Sequence, residues 1–182
     1  MSNIAVIYKS NYGFTETYAR WIAEEISADL LETNKVKTTD LQKYKTIVYG
    51  GGLYAGGVNG ISLITKNYDS LKDKALYLFT VGAADVTDTE NISAIRGSIA
   101  RTLAPQMLEK IKIYHLRGGL MYSKMNFVHK AMMGIMRRVL LRKPENELRS
   151  DDKGILATYG QDVSFVDRKT IANLVTDIMQ GV

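Results

Sequence analysis

The chain has 182 residues, 46% hydrophobic and 24% charged, a composition that fits one ordinary globular domain able to bury a continuous core. It has no cysteine, which excludes disulfides, iron–sulfur clusters, thiolate zinc and cysteine nucleophiles, and its two isolated histidines, His115 and His129, make no metal cluster. No apolar run approaches the roughly 20 residues needed to span a bilayer, and the first residues lead into a strand rather than a signal peptide, so the expected location is cytoplasmic.

The first predicted element is a strand over Ile4–Tyr8, followed by Ser10-Asn11-Tyr12-Gly13-Phe14-Thr15 and a helix near Thr15–Asp29 on which Tyr18, Ile22 and Ile26 recur at helical spacing. Trp21 lies mid-helix and is read as a packing residue. A strand–loop–helix of this kind aims backbone N–H groups and the positive end of a helix dipole at one point, which makes a phosphate site. Ser10 and Thr15 add hydroxyl donors, and Gly13 lets the backbone approach a ligand closely. No lysine stands where a P-loop places one, so the loop suits a single terminal phosphate rather than a nucleoside triphosphate.

Further strands are predicted weakly near Leu31–Lys35 and then over Thr46–Tyr49, Ala75–Val81 and Ile111–Leu116. Helices are predicted near Ile61–Tyr68, Thr89–Leu108 and Asp167–Met179, the last capped by Asp167. This alternation specifies an open, doubly wound parallel sheet with helices on both faces. Two glycine-rich loops follow strands, Gly50-Gly51-Gly52-Leu53-Tyr54-Ala55-Gly56-Gly57 and Gly82-Ala83-Ala84-Asp85. Ligands of such sheets bind beyond the carboxyl ends of the strands, where these loops and the first one would meet. Asp85 and Asp88 read as ligand acceptors or, more simply, as caps for the helix beginning near Thr89.

The segment from Gly118 to about Gly160 departs from the alternation and is read as an insertion beside the final strand. It contains a helix near Asn126–Leu141 with an apolar stripe of Val128, Met132, Ile135 and Val139, and a solvated turn at Arg149–Gly154. The chain carries a net charge of +5, and residues 117–149 alone hold eight Lys or Arg against Glu145 and Glu147. The basic character therefore belongs to this segment. Its helix is open to two readings: an apolar stripe packed on the sheet with solvated charges, or a basic amphipathic helix at an anionic membrane surface.

The stretch from Val6 to Thr15, together with the glycine-rich loop after the third strand and Val81-Gly82-Ala83, resembles the flavodoxin signature over nearly the whole chain. Arg117-Gly118-Gly119-Leu120-Met121-Tyr122-Ser123-Lys124, the basic helix after it and Phe165-Val166-Asp167 resemble the flavodoxin-domain branch that contains menaquinone-dependent protoporphyrinogen oxidase. The resemblance implies a five-stranded parallel sheet of order 2-1-3-4-5 and FMN as cofactor. It places FMN against Ser10, Asn11, Tyr12, Gly13, Phe14, Thr15, Gly52, Leu53, Tyr54, Ala55, Gly56, Val81, Gly82 and Ala83. Tyr54 is expected either to stack on the flavin or to stand exposed. The resemblance further implies a reduced anionic tetrapyrrole or another small reductant as donor and a quinone as acceptor. Tyr122, Lys124, Lys130, Arg137 and Arg138 are then expected to touch substrate or membrane. No nucleic acid, no metal and no particular general acid or base is expected. The other reading is a flavodoxin-type electron carrier, although such carriers are generally acidic to dock on basic partners.

Overall fold

A computed structural model describes residues 2–54 and 56–181. The first strand, β1 (Ile4–Lys9), is buried along all but its last residue, as expected of a parallel strand covered on both faces. Helix α1 (Phe14–Glu25) buries Thr15, Tyr18, Ala19, Ile22 and Ala23, the spacing of one helical face. The second strand, β2, runs Asp29–Glu32, and the 3₁₀ turn Thr33–Lys35 takes up the rest of the stretch expected to be strand.

Strand β3 extends over Thr46–Tyr54, so the glycines expected in a loop continue the strand. Parallel pairing holds them there, with Lys9 opposite Gly51 and Gly52 opposite Val81. The tail of β3 turns back through β4 (Gly57–Val58), an antiparallel pair missed by periodicity because it has two residues. The helix expected near Ile61–Tyr68 is two short ones, α2 (Ser62–Thr65) and α3 (Tyr68–Leu71). After β5 (Ala75–Gly82), the long helix expected over Thr89–Leu108 is likewise two: α4 (Thr89–Ala100) and α5 (Pro105–Lys110). Pro105 opens α5 because it cannot donate to an interior helical turn.

Strand β6 (Lys112–Arg117) completes a parallel sheet in the order β2-β1-β3-β5-β6, which is the expected 2-1-3-4-5 once the short β4 is set aside. Two cores sit on its faces. Tyr18, Ile22, Phe79, Leu174 and Ile178 belong to one, and Leu41, Tyr49, Leu71, Leu78 and Ile99 to the other. Trp21 packs at the margin of the first, edge-on to Tyr18. Gly50 is required here: a Cβ at that position would enter the ring of fully buried Phe79.

The insertion begins with β7 (Gly119–Met121) and returns with β8 (Asp162–Ser164), an antiparallel pair with Met121 opposite Asp162. Between them lie α6 (Phe127–Leu140), capped by Asn126 accepting from the His129 amide at 2.8 Å, and α7 (Ser150–Ala157). The solvated turn expected at Arg149–Gly154 is thus largely helical. Asp152 accepts from the Arg149 amide at 3.3 Å and pairs with Lys143 at 3.2 Å, so it starts the helix and is buried rather than solvated. Tyr18 closes the insertion's base: its hydroxyl donates to Arg117 O at 2.7 Å and accepts from the Asp167 amide at 3.1 Å. The last helix, α8 (Ala172–Gln180), follows a 3₁₀ turn over Arg168–Ile171 capped by Asp167, as its position implied.

Candidate functional site

The carboxyl ends of β1, β3 and β5 open on one cavity of about 650 Å³, within the range of small-molecule and cofactor sites. From the first loop it is lined by Ser10, Asn11, Tyr12, Phe14 and Thr15. Gly13 shapes this loop without lining the space. Its φ of 93° is left-handed, and its amide donates to Ser10 Oγ at 3.0 Å, fixing the turn that precedes α1. The first helical hydrogen bond is Thr17 N–H to Gly13 O at 2.9 Å, so the amides of Phe14, Thr15 and Glu16 lie ahead of the ladder, at the positive end of the helix dipole. This donor set of amides and two hydroxyls suits a dianionic phosphate held without a cation.

Gly52, Leu53, Tyr54 and Gly56 line the second wall and Val81, Gly82 and Ala83 the third. Ala55 lies outside the described residues. The three loops expected to converge therefore do so. Gly118 and Gly119 bring the insertion against them, because side chains there would collide with Val81, Phe14 and the Val163 carbonyl. Arg117 locks the third loop by donating to Asp85 at 2.8 Å and to Ala83 O at 3.3 Å, while its guanidinium covers the Phe165 ring. Hydrogen bonds from the Thr87 amide and hydroxyl, aided by Arg117, hold the Asp85 carboxyl below the usual carboxylate range. Asp88 is the α4 cap, accepting from the Glu90 amide at 2.9 Å.

The fourth wall comes from the insertion. Met125, His129, Met132, Met133, Ile135 and Met136 roof the cavity, with Asp151 and Ile155 of α7 beside them. His129, on the helix of the insertion, meets two tyrosines from the cofactor loops. Tyr54 donates to the Tyr12 hydroxyl at 2.7 Å, and His129 Nδ1 is within 3.0 Å of Tyr54 and hydrogen-bonded to Tyr12. Burial, reinforced by Tyr12, raises the Tyr54 phenol above its ordinary pKa, so it remains a proton donor. This cluster joins the first loop, the tail of β3 and the insertion, and no local sequence signal announces it, because its members are 42 and 75 residues apart.

Asp151 is the other residue that sequence reasoning missed. Burial raises its carboxyl pKa, with Arg149 opposing, which leaves a more basic carboxylate on the cavity wall. Asn59 also lines the cavity and donates to Asn11 at 3.1 Å. Of the five residues expected at substrate or membrane, Tyr122 is buried against Tyr159 and reaches neither solvent nor cavity. Lys124, Lys130, Arg137 and Arg138 are exposed on the outside of the roof and do not line the cavity. Among the described residues no group of acidic or histidine side chains could hold a metal.

A doubly wound parallel sheet with a cation-free phosphate loop and two glycine-bearing strand ends beside it defines an α/β nucleotide-cofactor domain. The model of the flavodoxin domain family matches residues 5–147, and the chain belongs to that family; FMN is the cofactor of such domains. Among curated proteins none matches. Similar solved structures include oxidised flavodoxin 2 of Bacillus cereus, at 13% identity and TM-score 0.47, covering 98% of this chain and 99% of that one. They also include the Trp repressor binding protein of Bacillus subtilis, at 12% identity and TM-score 0.45, covering 63% of this chain and 83% of that one. The two-electron reduced flavodoxin of Megasphaera elsdenii has 14% identity and TM-score 0.43, covering 62% of this chain and 84% of that one.

Proposed function

We propose that the chain is an FMN-dependent oxidoreductase that oxidises a reduced anionic tetrapyrrole, in the manner of menaquinone-dependent protoporphyrinogen oxidase, and passes the electrons to a quinone. The observation that carries this reading is the roof: α6 closes the cofactor loops with Met132, Met133, Met136 and Ile135, creating an apolar compartment for a bulky organic molecule. Ser10, Thr15 and the α1 amides would hold the phosphate of FMN, and Tyr54 and the Gly82 loop would line the space for its ring system. FMN bound there supplies hydride acceptance and stepwise electron release. Thioethers suit the donor's pocket because they are polarizable and conform to irregular shapes. Removing a hydride from a porphyrinogen also releases a proton, and Asp151 is the carboxylate on the cavity wall placed to receive it. The exposed cations Lys124, Lys130, Arg137 and Arg138 steer an anionic donor toward the roof.

The charge of residues 117–149 favours this reading over an electron carrier, since carriers of this fold dock through acidic surfaces. The test is anaerobic mixing of the flavin-loaded protein with protoporphyrinogen, followed by a menaquinone analogue. Bleaching of the flavin band and then quinone-dependent turnover is the expected result. A protein that loads FMN and accepts electrons from dithionite, yet is untouched by protoporphyrinogen, would be a carrier.

A further inference from the structure

The stripe on α6 is the largest departure from ordinary packing in the molecule. Phe127 is 86% exposed, Val128 and Ile135 are each 61% exposed, and Val139 is 52% exposed. Three of the four stripe positions are thus more than half open to solvent, and Met132 is 43% exposed. The reading in which the stripe packs on the sheet is not met: the face turned inward carries His129, Met133 and Leu140 instead. Residues 128, 132, 135 and 139 fall along one side of the helix at intervals of four, three and four. Arg138 follows Ile135 by three residues on one edge of the stripe and Arg142 stands in the turn after the helix, while Lys130 and Arg137 lie on the face away from the stripe, with Arg137 over the Tyr159 ring. The helix contains no acidic residue.

We infer that this face of α6 docks the protein onto an anionic bilayer surface, with the stripe in the acyl boundary and the arginines at the head groups. Apolar area and cationic edge on one capped helix are the two terms that such docking requires, and the edge favours phospholipid anions over a neutral apolar partner. A second feature fixes the orientation. Met132, Ile135 and Met136 line the cavity and are also exposed, so the stripe continues into the cavity and forms its mouth. A docked molecule would present that mouth to the lipid, and an apolar reactant could pass between bilayer and cavity without crossing water. Among the described residues no helix is long and apolar enough to cross a membrane, so the contact is one of surface docking. The inference extends beyond the proposed activity and is independent of which donor the site oxidises.

Sedimentation of the full, flavin-loaded chain with lipid vesicles tests it without any turnover measurement. Binding should be strong to phosphatidylcholine vesicles containing about 30% phosphatidylglycerol, weak to phosphatidylcholine alone, and reduced when salt rises from about 0.1 M to about 0.5 M. Neither Val128→Glu with Val139→Glu nor Arg138→Glu with Arg142→Glu touches the cavity lining, so both variants should load FMN and melt like the parent. Each should lower the vesicle partition coefficient by about tenfold or more. Equal binding to both vesicle types, or variants that bind as the parent does, would overturn the inference. So would a parent that ignores vesicles and sediments as a dimer dispersed by the valine substitutions, since the stripe would then cover a second copy.

Discussion

The parallel sheet and the insertion obey different rules. In the sheet, β1, β3 and β5 bury nearly every side chain, and the strand ends deliver cofactor groups at positions set by pairing register. In the insertion, α6 leaves Phe127, Val128, Ile135 and Val139 in solvent, half-buries His129 and Met133 and fully buries only Leu140. A frame held by two cores is suited to binding a cofactor in one fixed geometry. A helix held by α7, by Arg137 over the Tyr159 ring and by the Tyr12–Tyr54–His129 cluster is suited to receiving something else. The frame therefore accounts for the cofactor, and on the proposed reading the insertion accounts for the reaction.

The comparison can be broken most severely from the frame side. Gly50→Ala drives a methyl group into the Phe79 ring and should cost about 3 kcal/mol of stability, read by urea denaturation, with cofactor site and roof lost together. Thr15→Val keeps the buried shape but removes a hydroxyl from the phosphate loop. FMN affinity should fall by about 2 kcal/mol, roughly thirtyfold in Kd by fluorescence titration, with the fold intact. At the seam, Tyr54→Phe removes the hydroxyl shared with Tyr12 and His129. Amide exchange in α6 should quicken by about 1 kcal/mol in opening free energy while α1 stays protected.

The remaining prediction concerns pH. Burial, aided by the positive charge of Arg96, lowers the His115 pKa from 6.5 to about 4, and its Nδ1 is shared with the Thr80 hydroxyl at 2.7 Å. The unfolded chain takes up that proton first, so stability is full above about pH 6.5 and declines as pH falls toward 4. His115→Gln should flatten the stability profile within that window and leave its other limbs unchanged.

The contrast between the regions also explains what was legible in the sequence. Buried parallel strands appear as short apolar runs, so β1, β3, β5 and β6 could be read, as could the glycine and hydroxyl pattern of the first loop, whereas the strand order came only with the family resemblance. The Gly50–Tyr54 extension was hidden because glycines resemble a turn until their partners, Lys9 and Val81, are known. The β7–β8 pair was hidden because three-residue strands carry no periodicity and their register spans the whole insertion. Helix α6 was evident from its stripe, but the direction of that stripe depends on α7 and the loops beneath it. His129 and Asp151 could not be assigned to the cavity for the same reason: only the fold of the insertion brings them there.

The register of β7 with β8 supplies the most direct test of the division of labour. Met121 and Asp162 are cross-strand partners, so replacing residues 122–161 by Asn-Gly closes the pair as a two-residue hairpin and removes the roof alone. The account predicts that this variant still binds FMN but no longer oxidises protoporphyrinogen, measured beside the full chain under identical anaerobic conditions. A hairpin variant that turns over as fast as the full chain would contradict it.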